Sequence, residues 1–203
     1  MPVLRDFDPG LQNVFTLENG LIENNTALKH GGGISLSGNA ALAMSGGTIR
    51  GNVTTTESGG GVNQFGTSMF TMTNGVIENN RVVDVTFNGG GVHLAGIGPT
   101  FQFKGGIIRT NQARSFGGGV ATFQATVVMS GGTLNGNTAS NGGGVSVDGD
   151  ASKKGLLTLT AGSITGNTAS VNGGGVFTSV NGTFANSGGS VTTNTPNDIF
   201  AAQ

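Results

Sequence analysis

The chain has 203 residues, 40 of them glycine, with 9 Lys plus Arg against 10 Asp plus Glu and no Cys, Trp or Tyr. This near-neutral balance leaves no basic stripe to follow a phosphate backbone, so nucleic acid is not an expected partner, and without cysteine there are neither disulfides nor thiolate metal sites. No apolar run approaches the length of a membrane span, and the opening MPVLRDFDPG lacks the apolar core of a secretion signal. A soluble chain is expected, with any signal removed or never present.

Residues 1–13, with Pro2, Pro9, Asp6 and Asp8, read as an N-terminal extension or cap. Residues 14–203 read as a single repeat domain. From Phe15 onward one motif recurs: an apolar residue, a second one two positions on, a glycine three further, then an apolar residue and an asparagine two and five positions after that glycine. In chain order the copies are Phe15, Leu17, Ile22, Asn25; Leu42, Met44, Ile49, Asn52; Phe70, Met72, Ile77, Asn80; Phe101, Phe103, Ile108, Asn111; Val127, Met129, Leu134, Asn137; Leu157, Leu159, Ile164, Asn167; and Phe184, Asn186, Val191, Asn194. Only Asn186 breaks the apolar pattern.

Triple-glycine blocks begin at Gly31, Gly59, Gly89, Gly117, Gly142 and Gly173, spaced 28, 30, 28, 25 and 31 residues apart. Insertions confined to turns while short strand motifs stay intact are what a solenoid tolerates. Alternation such as Phe70-Thr71-Met72-Thr73 turns apolar groups inward and Thr outward. Each short strand is followed one copy later by its equivalent, so the pairing is parallel and in register, with rungs about 4.8 Å apart. The fold predicted is all-β: a right-handed parallel β-helix, or β-solenoid, of about seven coils, the last incomplete, with roughly 25–31 residues per coil as the triple-glycine spacing gives. An α-solenoid is excluded by glycines that would each cost a helix about 1 kcal/mol.

In such a stack Asn25, Asn52, Asn80, Asn111, Asn137, Asn167 and Asn194 form a ladder. Each amide donates to one neighbouring copy and accepts from the other, and Asn also tolerates the left-handed backbone of a tight corner. The glycine blocks lack a Walker lysine and read as positions of φ > 0 or of close approach by the next coil. One residue beyond each inward Ile, the series Glu23, Arg50, Glu78, Arg109 points outward as a ladder of alternating charge. Glu23 and Glu78, two rungs or about 9.6 Å apart, approach the carboxylate separation of inverting glycosidases, but Arg50 between them would hold both ionised. No catalytic residue is therefore assigned. Asp148 and Asp150, in the longest turn insertion, are weak candidates for calcium; no other metal and no cofactor is expected.

His30 and His93 fall at different phases of the repeat, which implies no metal pair and no nucleophile-base-acid triad. Phe65, Phe116, Phe123 and Phe177 take turn or outward phases and read either as a sticky strip or as packing under turns. An ice-binding face would need two unbroken Thr rows, and Thr16, Thr71 and Thr158 are interrupted by Ala43, Gln102, Val128 and Ala185.

The segments GGTIRGN (46–52), GGTLNGNTASNGGGV (131–145) and AGSITGNTASVNGGGV (161–176), together with the closing NTPNDIF, resemble the repeats of bacterial right-handed β-helix surface proteins, among them the polymorphic outer-membrane proteins and adhesin-like passengers. The Phe-x-x-Asn tetrapeptide of the polymorphic group is absent. The resemblance implies an extracellular or cell-surface rod for adhesion, display or fibre assembly, with a host or cell-surface protein, a glycan or its own copies end to end as partner. It transfers no catalytic residue. The alternatives are a polysaccharide lyase or hydrolase on the same scaffold, and an ice-binding protein.

Overall fold

A computed structural model describes residues 13–84, 86 and 88–203. The cap expected over residues 1–13 lies, except for Asn13, outside them. Among the described residues there is no helix; the chain is an all-β parallel solenoid of about six turns. Seven copies supply seven rungs, which enclose six intervals, so the count falls one short of the seven coils expected.

The first face stacks Val14–Leu17, Ala41–Met44, Met69–Met72, Thr100–Phe103, Thr126–Asn135, Gly155–Thr165 and Gly182–Asn186. The second stacks Leu21–Glu23, Thr48–Arg50, Val76–Glu78 and Ile107–Arg109, is carried on by the far halves of Thr126–Asn135 and Gly155–Thr165, and ends at Ser190–Thr192. After five of the seven ladder asparagines a short rib follows, such as Val53–Thr54 or Arg81–Val82, and Gln112 and Thr195 make single bridges at the same place in the other two copies. The third face, after the glycine blocks, stacks Ile34–Leu36, Val62–Gln64, Val92–Ala95, Val120–Phe123, Val145–Asp148, Val176–Thr178 and Ile199–Ala201.

Pairing is parallel and places like on like: Leu42, Phe70, Phe101 and Val127 in one row, Ile49, Ile77, Ile108 and Leu134 in another. These rows are buried, and Phe70 and Phe101 stack with centroids 4.6 Å apart. Among the described residues the end copies have a neighbouring copy on one side only, and Phe15 is 46% exposed although it occupies the inward phase. The third face brings Gln64 and Thr122 into the interior on either side of Leu94, and the Gln64 Oε1 and Thr122 Oγ1 atoms find no hydrogen-bond partner.

The glycine blocks meet both expectations at once. Gly59 turns the chain at φ +78°, a region that excludes most side chains. At Gly61 a Cβ would stand 2.6 Å from the Gly91 carbonyl oxygen of the next coil, and the Gly61 N–H donates to the Gly90 carbonyl at 3.1 Å. Glycine thus stacks on glycine through backbone bonds alone, which narrows the solenoid at this corner.

Candidate functional site: the cleft over the third face

The asparagine row forms a continuous side-chain ladder inside the solenoid. The Asn80 side-chain oxygen accepts from the backbone N–H and amide of Asn52 (3.0 and 2.9 Å), and its amide donates to Asn111 Oδ1 (3.0 Å) and to the Ile49 carbonyl (2.9 Å). The same set repeats at Asn52, Asn111, Asn137 and Asn167, all fully buried. Each asparagine therefore ties three turns together. At Asn194 the next asparagine is replaced by Asp198, whose Oδ1 accepts from the Asn194 backbone (2.8 Å) and amide (2.9 Å). Asn25 lies exposed at the other end, and among the described residues nothing donates to its side-chain oxygen.

One expectation is corrected. The left-handed corner is not the ladder asparagine but the residue before it: Asn24, Gly51, Asn79, Thr110, Gly136, Gly166 and Thr193 all have φ between +52° and +63°. The ladder residue keeps an ordinary backbone because its side chain must point into the core, and its neighbour makes the bend.

The outward charges form two separate pairs instead of one ladder. Arg50 Nε and Nη2 both reach Glu23 Oε2 at 2.8 Å, and Arg109 reaches Glu78 Oε2 at 2.8 and 2.7 Å. Arginine is long enough to fold onto the rung below it, and each carboxylate is used once. Asp148 accepts from the Gly149 N–H (2.8 Å) and the Ser179 hydroxyl, while Asp150 accepts from the Ser152 hydroxyl and N–H (2.6 and 2.8 Å). The hydroxyl of Ser152, then the side chain of Gln124, lower the Asp150 pKa to about 2. Asp150 fastens its own loop and Asp148 ties that loop to Ser179 one rung on, and no group of three or more His, Cys, Asp or Glu gathers as a metal site among the described residues.

The histidines, by contrast, come together where their phases implied no meeting. The triple glycine turns the chain so that the residue just before it lies beside the outward row of the strand just after it. His30 and His93 thereby line a single cleft of about 350 Å³ over the third face, with Glu57, Phe65, Asn88 and Phe123. His30 Nε2 pairs with Glu57, and its ring meets Phe65 edge to face with centroids 4.4 Å apart. His93 is buried, and its Nδ1 lies 2.8 Å from Asn63 Oδ1. Burial first, and the nearby His30 second, push its pKa down to about 3, so the ring is neutral. An amide oxygen only accepts, so with Asn63 oriented this way Nδ1 carries the proton and Nε2 is left an acceptor.

Polar atoms without partners concentrate here. Of the buried side-chain atoms that lack a hydrogen bond, His30 Nδ1 and Asn88 Oδ1 belong to residues that line the cleft, just beneath its surface, and Asn63 Nδ2 lies behind His93. Aligning the copies on their glycine blocks was the signal that would have found the walls: Phe65, Ala95 and Phe123 all stand six residues after the first glycine. Phe116 and Phe177 lie beyond this notch and pack on each other at 5.6 Å, with Phe177 stacked on Phe200 at 5.7 Å.

No family model, no curated protein and no solved structure matches the chain.

Proposed function

We propose that this chain is a non-enzymatic β-solenoid module that works outside the cell or at its surface in adhesion or display, and that its partner docks in the cleft over the third face. The observation that carries this reading is the cleft itself: two outward phenylalanines beside desolvated polar atoms that have no partner among the described residues. Buried polar groups are ordinarily satisfied, and a cluster of exceptions beside apolar walls is the usual form of a recognition site. The likeness of the repeats to bacterial surface β-helices supports the location and the polymorphic or adhesin-like type. Growth end to end has less support, because Asp198 already closes the ladder at the last rung.

The test is adhesion of the purified full chain to extracellular matrix or whole cells, compared with Ala95→Leu, which fills the cleft between Phe65 and Phe123. Lost adhesion with unchanged melting supports the reading; undiminished adhesion overturns it. A polysaccharide-degrading enzyme is the second reading, and the observation favouring it is the His30–Glu57 pair in this cleft. Depolymerising activity that disappears in Glu57→Gln would establish it.

A further inference from the structure

Resting on that reading, we infer that the notch between Phe65 and Phe123 takes one pyranose ring of a neutral glycan. The register makes the notch. Leu94 pairs with Gln64 and with Thr122, and Ala95 pairs with Phe123, so Phe65, Ala95 and Phe123 stand on three successive rungs of one outward row. The two phenylalanines are therefore about 9.6 Å apart along the stack, with a methyl group between them. Less the half-thickness of each side chain, that gap admits a single ring. A pyranose offers an apolar C–H face to an aromatic wall and hydroxyls around its rim, and Phe65 and Phe123 supply such walls.

The polar rim selects the hydroxyls. His93 Nε2 is an acceptor, the Glu57 carboxylate accepts from His30, and Asn88 Oδ1 is an acceptor just beneath the surface of the cleft. A ligand that brings hydrogen-bond donors satisfies them, and a ring bearing several hydroxyls brings donors in every direction. Among the described residues no Lys or Arg lines the cleft, so nothing there would pair with an anionic sugar. A lysine ammonium, the competing occupant, would find the Glu57 charge already engaged by His30. Past Phe123 the depression continues over His93 to Phe116, Ser146 and Asp148, which gives an adjoining residue of the same chain a place to lie.

Saturation-transfer NMR on the full chain, with methyl pyranosides and neutral di- and trisaccharides as probes, tests this. The expected result is transfer concentrated on ring C–H protons of at least one neutral sugar, weakened about tenfold or more by Ala95→Leu and by Phe123→Ala, with both variants melting like the parent. Absence of transfer from every neutral pyranose overturns the inference, as does equal binding by the variants or preferential binding of lysine methyl ester. Adhesion that is lost in Ala95→Leu while no pyranose binds would remove the glycan and leave the recognition reading standing; adhesion unchanged in Ala95→Leu would remove both.

Discussion

Replacing Asn80 by Ala removes four hydrogen bonds at a fully buried position: two accepted from Asn52 and two donated, to Asn111 and to the Ile49 carbonyl. At about 1 kcal/mol net for each, the direct loss is about 4 kcal/mol, and the buried Asn52 N–H, left without an acceptor, pushes the figure upward. For a chain of this size that corresponds to a fall in melting temperature of roughly 10 °C. Asn25→Ala is the internal control, since that side chain is exposed and, among the described residues, is bonded on one side only; its loss should stay below about 1 kcal/mol. Urea unfolding followed by circular dichroism, with thermal melts on the same samples, reads both. Equal losses in the two variants, or an Asn80→Ala midpoint like that of the parent, would refute the view that the ladder ties turns together.

Three further outcomes are expected. Thr122→Val keeps the shape of the side chain between Leu94 and Val147 while removing a buried hydroxyl that has no partner, and should raise stability by about 1 kcal/mol in urea unfolding. Thr110 is a β-branched residue at φ +52°, where five of the other six copies carry Asn or Gly, so Thr110→Gly should also stabilise, by about 1 kcal/mol in the same assay. His93 has a folded pKa of about 3 against an ordinary value of 6.5, so the unfolded chain binds the extra proton between them. The stability from keeping it neutral is present above pH 6.5 and is lost as pH falls, by up to about 2 kcal/mol between pH 6.5 and 5. His93→Gln should flatten that part of the pH profile, measured by urea midpoints at several pH values.

The ladders were legible in the sequence because a parallel in-register stack repeats one chemical environment in every copy. Ile49, Ile77 and Ile108 fall on one another, and a period in the sequence becomes a row in space. Asn52, Asn80 and Asn111 show the same correspondence through their amides. What failed to show was everything decided within a single turn. Asn favours both the left-handed corner and the ladder, so the sequence alone does not separate the two roles, yet Asn79 bends the chain and Asn80 points inward. The charge series Glu23, Arg50, Glu78, Arg109 has the alternation of a continuous ladder, but its partition into two pairs depends on how each guanidinium folds. The cleft was hidden for the same reason. His30 and His93 belong to different rows, and only the turn at the triple glycine sets one row beside the other.

The most direct test of the recognition site is to map where a bound glycan touches the protein. In a titration of the isotopically labelled full chain with the sugar selected by saturation transfer, backbone amide shifts should concentrate at Phe65, Asn88, Ala95 and Phe123, with a side-chain response at His93. Shifts centred instead on the Glu23–Arg50 and Glu78–Arg109 pairs, or on the first or last rung, would contradict the account.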